Sequence, residues 1–331
     1  NSLLSKLDLN YLDSVNNLSK KNLGLTGVNP SVACLIVDYK NNSRGVVLSY
    51  GVTSKSGRPH AEINALDKIS NSQINNQTTL YVSLEPCFKE NSCCAKKIIS
   101  KGIKRVVVSS LDPNPQIYGK GVSFLKSKGV KVLLAGPRQN KFKQINKYFY
   151  NFQKNHSPFI TLKLAISKNY YSKNLMSKNV TQKETQFYMH KLRLKHDAII
   201  VGLNTYKEDK PKLNCRLNGI NKKIRPFILT NDFATKTKFP QITFNEKNFD
   251  NFYSIMNKHN IRSVLVEGGL QTFNSFLKCR VFDEIVICQS SEIIKKSKKR
   301  YKLDKKLIKS SCKRIDSQEY FMDKIEIYKN V

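Results

Sequence analysis

At 331 residues the chain is long enough for two domains, and at 40% hydrophobic residues it can fill ordinary cores. No apolar run approaches the ~20 residues of a membrane span, and the opening NSLLSKLDLNYLDSV shows no basic segment followed by an apolar one, so neither a span nor a secretory signal is expected. The formal charge of +34 is mostly an excess of Lys running through the whole chain. That reads as compositional drift; such a field also attracts anionic small substrates or, where it clusters, nucleic acid.

In chain order, SVACLIV (31–37) predicts a strand, and AEINALDKI (61–69) sets Ile63, Leu66 and Ile69 on one helical face. TTLYVSL (78–84) is rich in β-formers and leads into LEPCFKENSCC (84–94). CAKKIISKG (94–102) predicts a helix ending at Gly102, RVVVSS (105–110) a strand, GVSFLKSKG (121–129) a helix and VKVLLAG (130–136) a strand. Short strands alternating with helices imply a layered α/β domain with parallel pairings. The polar stretch PRQNKFKQINKYFYNFQKNHS (137–157) breaks the pattern and marks the expected boundary. A second α/β series follows: strand FITLKLAI (159–166), helix QKETQFYMHKLRLKH (182–196), strands DAIIVGL (197–203), RPFILT (225–230) and SVLVEGG (263–269), helix LQTFNSFLKC (270–279) and strand FDEIVIC (282–288). No repeat relates the halves. The densest basic run, KKSKKRYKLDKK (295–306), is expected to be a solvated loop.

Eight cysteines are too sparse for a disulfide-stapled secreted domain and point to a reducing, cytoplasmic setting, where a tight group means metal or catalysis. A disulfide between the neighbours Cys93 and Cys94 would be strained. His60-Ala61-Glu62 opens the first helix, Pro86-Cys87 ends a strand and Cys94 opens the next helix. Zinc deaminases use one His and two Cys as ligands, with water in the fourth position. Zinc lowers the pKa of that water to roughly 7, and Glu62, near the metal but not bound to it, can pass the proton to the ring nitrogen and the leaving amine. A nucleophilic cysteine is the rival reading and leaves His60 and Glu62 without a role. The spacing is C-x₆-C rather than C-x-x-C, so Cys93 competes as a ligand. Cys94 is preferred because it directly precedes the apolar helix, whose N-terminus stabilises a thiolate.

The same residues lie in VNPSVACLIV (28–37), GRPHAEINAL (57–66), TLYVSLEPC (79–87) and DPNPQIYGKG (112–121). Over most of residues 11–135 these stretches resemble the bifunctional riboflavin-biosynthesis deaminase–reductases, the RibD family. The resemblance implies a cytidine-deaminase-like three-layer α/β/α domain over 1–145. It would deaminate a pyrimidine carrying a phosphoribosylamino group, with His60, Cys87 and Cys94 as zinc ligands, Glu62 as proton shuttle and Asn29 as a substrate contact (or a turn-former before Pro30). Where the family has S-H-x-G-R/K-T-P-P between the cysteines, FKENSC stands here, shorter and without that His and Thr.

HKLRLKHDAIIVGLNTYKEDKPKLNCR (190–216), VLVEGGLQTFNSFL (264–277) and FDEIVI (282–287) resemble the family's reductase half, similar in fold to dihydrofolate reductase, and imply an α/β NADPH-dependent domain over 150–331. The resemblance puts Ser167, Asn179, Thr205, Asp209, Gly268 and Gly269 at NADPH, and Ser177, Arg193, Leu213, Arg216 and Glu267 at the substrate. A strand, a glycine turn and a helix N-terminus suit a phosphate, and guanidinium groups such as Arg193 and Arg216 bind a sugar phosphate bidentately. The family's S-L-D-G becomes Ser167-Lys168-Asn169-Tyr170, its Trp becomes Asn179, and the second Asp of its DDP becomes Lys210. The expected protein is a bifunctional enzyme and homo-oligomer without nucleic-acid or membrane partners. Two alternatives are a deaminase with a structural second domain, and an RNA-editing deaminase, for which no aromatic-interleaved basic patch is present.

Overall fold

The computed structural model describes residues 4–88, 93–136, 139–172, 180–220, 222–244, 246–247, 249–294 and 302–331. Two compact units divide the chain, Asn1–His156 and Ser157–Val331.

The first unit runs α1 (Lys6–Leu18), β1 (Ala33–Asp38), β2 (Val46–Val52), α2 (Ala61–Leu66), β3 (Thr78–Val82), α3 (Cys94–Ser100), β4 (Arg105–Val108), α4 (Lys120–Ser127), β5 (Lys131–Leu134), α5 (Gln139–Ile145) and α6 (Lys147–Asn155). Its sheet has the order β2-β1-β3-β4-β5. β3, β4 and β5 are parallel, as expected, but β1 is antiparallel to both neighbours. Alternation along β1 builds the three layers. Ala33, Leu35 and Val37 meet Leu12 and Val15 of α1, while Cys34 and Ile36 join the core that holds Ala65 and Leu66 of α2, Ile98 of α3 and Leu125 of α4. β2 is a half-exposed edge, with the apolar Val46 and Val47 in solvent.

A buried polar network pins α1 to this sheet. Asp8, in the first turn of α1, forms a capping box with Ser5. Both of its oxygens accept from Arg105, at 2.9 Å each, and Tyr81 donates to it at 2.7 Å. Burial alone would raise this carboxyl, but Arg105, Tyr81 and Ser5 outweigh it and hold the pKa at about 2.

The unit boundary, between His156 and Ser157, falls at the end of the polar stretch expected to hold it; the stretch itself is mostly α5 and α6, and both belong to the first unit. Phe142 of α5 is buried in the unit's core.

The second unit runs β6 (Phe159–Ile166), α7 (Lys183–Lys195), β7 (Ala198–Gly202), α8 (Leu203–Asp209), β8 (Arg225–Leu229), β9 (Gln241–Ile242), α9 (Asp250–Lys258), β10 (Ser263–Val266), α10 (Leu270–Cys279), β11 (Glu284–Gln289), α11 (Lys305–Ser311), β12 (Cys312–Tyr320) and β13 (Asp323–Asn330). The sheet order is β12-β13-β11-β6-β10-β7-β8-β9. The strands from β11 to β9 in that order are parallel, and β13 pairs antiparallel with β11 and β12. One face packs on Phe252 and Met256 of α9 and Phe273 and Phe276 of α10; the other packs on Met189 and Leu192 of α7. Residues 295–301 of the basic run lie outside the described residues; beyond them Leu303 is buried and α11 begins at Lys305. Among the described residues no helix is long and apolar enough to cross a membrane.

Candidate active site

In the first unit the sequence-predicted donors converge. His60 is the N-cap of α2, Cys87 follows the C-terminal end of β3, and Cys94 is the first residue of α3. His60 Nδ1 lies 3.6 Å from Cys87 Sγ and 3.4 Å from Cys94 Sγ, and all three donor atoms fall within 4.8 Å of one another. One imidazole nitrogen and two sulfurs at this spacing fit a zinc ion, whose bonds to S and N are about 2.3 and 2.0 Å. Cys93 is excluded from the cluster: as the N-cap of α3, its sulfur accepts the Lys96 N–H at 3.3 Å.

The two thiols share one charge. The hydrogen bond from Cys94, with help from His60, pulls the Cys87 thiol down to about 4, while Cys94 is pushed up. Glu62 is buried in the first turn of α2, and burial, reinforced by the Cys87 charge, raises its carboxyl to about 7. A group poised there can both accept and return a proton at neutral pH.

Two loops flank the donors. Asn29 donates to Gly57 O at 3.2 Å, tying its loop to the segment that leads into His60. Glu85 carries a structural role that no sequence reasoning assigned. Its buried carboxylate accepts from the N–H groups of Asp112 (3.2 Å), Gly119 (2.9 Å) and Val122 (3.1 Å). The Cys87 turn is thereby docked onto the DPNP loop and the start of α4. Gly121 permits the contact, since a Cβ there would lie 1.9 Å from Pro86 O. Asp112 is pushed up to about 6 by burial and by the neighbouring Glu85 and Cys87 charges.

In the second unit a cavity of about 1660 Å³ opens among the C-terminal ends of β7, β8 and β10, the place where parallel α/β sheets bind ligands. It gathers Thr205, Asp209, Gly268 and Gly269 of the expected cofactor residues, and Arg193, Leu213, Arg216 and Glu267 of the expected substrate residues. Thr205 Oγ1 accepts the Gly269 N–H at 2.9 Å, locking α8 to the start of α10. Gly268 is dictated by packing as much as by ligand access: a Cβ would sit 2.5 Å from that of Thr272.

Arg193 is not a free phosphate fork. Its Nε and Nη2 donate to Glu267 at 2.7 and 2.6 Å, and Nη1 donates to Asn214 O at 3.0 Å. Burial alone would raise Glu267, yet Arg193 holds it at about 2. Arg216 is exposed on the cavity wall, where its Nη1 donates to Asn214 Oδ1 at 3.0 Å. Ser167 does not line the cavity; it is buried, and its hydroxyl is spent on Asn169 and the Tyr171 N–H of its own turn. Ser177 and Asn179 lie outside the described residues.

Lys163 and His190 also line the cavity and were not anticipated. Lys163 sits inside an apolar strand pattern. His190 opens the HKLR stretch, and its Nδ1 accepts the Arg216 N–H at 3.2 Å. Burial, with Arg193 and Arg216 beside it, lowers its pKa to about 4.

Residues 6–110 match the cytidine and deoxycytidylate deaminase zinc-binding region, and residues 158–320 match the RibD C-terminal domain. Fold and site therefore define a zinc-binding deaminase joined to a reductase. RibD of Aquifex aeolicus is 32% identical over 325 residues, covering 88% of this chain and 89% of that protein. A diaminohydroxyphosphoribosylamino-pyrimidine deaminase of Buchnera aphidicola is 39% identical over 153 residues, 46% of this chain and 99% of that protein. The structure of Acinetobacter baumannii RibD superposes with a TM-score of 0.84 at 23% identity, over 98% of this chain and 99% of that one, and shares the fold. The chain belongs to the RibD family, the bifunctional deaminase–reductases of riboflavin biosynthesis, with a zinc-binding deaminase domain and a reductase domain that uses NADPH.

Proposed function

We propose that the first unit hydrolytically deaminates 2,5-diamino-6-(5-phosphoribosylamino)pyrimidin-4-one and that the second reduces the ribosyl group of the product to ribityl. The observation that carries this reading is the His60–Cys87–Cys94 donor set with Glu62 buried beside it. Those three residues would hold the zinc, which when bound would make water acidic enough to supply hydroxide near neutral pH. Glu62 takes a proton from the attacking water and delivers it to the departing amine, so that water enters and ammonia leaves. Asn29 and the loop of Asp112 bind the substrate around that centre.

In the second unit NADPH supplies the hydride. Gly268 and Gly269, at the start of α10, meet its phosphates together with Thr205 of α8, and Asp209 flanks them. Arg216 holds the sugar phosphate, and Glu267, fixed by Arg193, accepts hydrogen bonds from the sugar hydroxyls beside Leu213. Eight free cysteines support a reducing, cytoplasmic setting. The exposed edge strand β12, with Ile315 half in solvent, supports a homo-oligomer. No nucleic-acid partner is part of this reading.

The test supplies the diamino substrate with NADPH and follows ammonia release together with loss of nicotinamide absorbance. Both signals are expected. Glu62→Ala should abolish ammonia release and keep its zinc; retained turnover refutes the role given to Glu62, and neither signal from a zinc-loaded wild type sinks the whole reading.

A further inference from the structure

α6, in the stretch whose sequence reads as a boundary, reaches both loops beside the deaminase donors. Asn146, its N-cap, is buried; its Oδ1 accepts the Ser31 N–H at 2.8 Å and its Nδ2 donates to Ser31 O at 3.2 Å. One side chain thus satisfies both backbone groups of a residue that is itself only 1% exposed and has no route to water. Ser31 stands two residues after Asn29 and two before the start of β1, the strand that anchors the loop. One turn along α6, Tyr150 points the same way. Its hydroxyl is hydrogen-bonded to Ser110 Oγ and donates to Leu111 O at 3.2 Å. Leu111 immediately precedes Asp112, whose N–H is gripped from the other side by Glu85. Two loops, one leading into β1 and one leaving β4, are therefore registered against one helix face.

We propose that Asn146 and Tyr150 are positioning residues of the deaminase site, setting the distance between the Asn29 loop and the Asp112 loop across the substrate. The proposal rests on the deaminase reading above. Neither residue belongs to the donor set, so the effect falls on substrate binding rather than on zinc or on proton transfer. It also assigns α6 to the deaminase as a working part. The 153 residues aligned to the Buchnera deaminase approach the length of the first unit, α6 included.

The test uses the full-length, zinc-loaded chain carrying Asn146→Ala, Asn146→Asp or Tyr150→Phe. Amide hydrogen exchange reads the loops directly, and ammonia release gives KM and kcat for the pyrimidine. In Asn146→Ala, residues 29–32 should exchange about tenfold faster and KM should rise about tenfold, the scale of one buried hydrogen bond, with kcat within about twofold and zinc retained. Asn146→Asp, which still accepts from Ser31 N–H, should fall between Asn146→Ala and wild type. Tyr150→Phe, which keeps its ring packing on Phe142 and Phe149, should loosen residues 109–113 with a similar KM effect.

Unchanged exchange in both loops overturns the proposal, as does faster exchange with KM unmoved. Loss of zinc together with kcat also overturns it, since α6 would then support the metal ligands. If the wild type itself releases no ammonia, the deaminase reading fails, and the exchange rates, which need no turnover, still decide whether α6 braces the loops.

Discussion

Replacing Asp8 by Asn should weaken the first unit without touching its chemistry. The carboxylate is nearly inaccessible and lies 2.9 Å from Arg105 Nη2, whose side chain is 27% exposed. Its pKa falls from 3.8 to about 2 on folding, and at about 1.36 kcal/mol per unit that difference is worth about 2.5 kcal/mol. Because the folded-state value is depressed, the stabilisation is fully present above about pH 5 and declines as pH falls through the unfolded and then the folded pKa; about half remains at pH 3 and almost none below pH 2. For a unit of this size the cost at pH 7 should appear as a melting temperature lower by about 5–10 °C. The measurement is thermal or urea unfolding of wild type and Asp8→Asn from pH 7 to pH 3, followed through the first unit's transition, with zinc content and ammonia release in parallel. The stability gap should be flat from pH 7 to pH 5 and close below pH 4, while the folded variant keeps its zinc and its KM. A gap below about 1 kcal/mol at pH 7, or one that stays constant down to pH 3, refutes the electrostatic account.

Two further outcomes separate neighbours that look alike in sequence. Cys93→Ser should retain zinc, because serine also caps a helix N-terminus, whereas Cys94→Ser should lose it; metal analysis after gel filtration checks the order, and the reverse order would exchange the two roles. In the second unit, Arg193→Met strands the buried Glu267 carboxylate, which burial then pushes up. Unfolding should show about 3–5 kcal/mol lost, and NADPH oxidation should fall with it. A variant as stable as wild type would show that the 2.6 and 2.7 Å contacts contribute nothing net.

The parts legible in sequence were those where chemistry demands a residue type. His60, Glu62, Cys87 and Cys94 stand out because few side chains bind zinc or shuttle protons, and the buried strands stand out as runs of β-formers. What stayed hidden acts through shape or backbone. β2 is an edge strand whose apolar Val46 and Val47 are exposed, and α6, though amphipathic, buries none of its own residues fully, so neither announces itself as a core element. Glu85 grips three backbone N–H groups, and no spacing rule announces that. Arg193 was visible as a cation, but only the fold shows its fork turned to Glu267 rather than to a phosphate.

The net charge points the same way. The chain holds 58 basic residues against 24 acidic ones, yet the fully buried charged residues among those described are all acids: Asp8, Glu62, Glu85, Asp112, Glu284 and Asp323. Several have specific partners. Asp8 meets Arg105 and Tyr81, Glu85 three N–H groups, and Asp323 the Thr185 hydroxyl and the Gln182 N–H. An unpaired buried ammonium is costly, so drift toward lysine is tolerated at solvated positions and excluded from these. Exposed lysines beyond the ~8 Å screening length of physiological salt barely reach the sites. The pKa values of Glu62 and Glu267 are accordingly set by burial and adjacent groups rather than by the overall excess. A charge of +34 is therefore compatible with an active site built on carboxylates, and by itself gives no reason to assign a nucleic-acid partner.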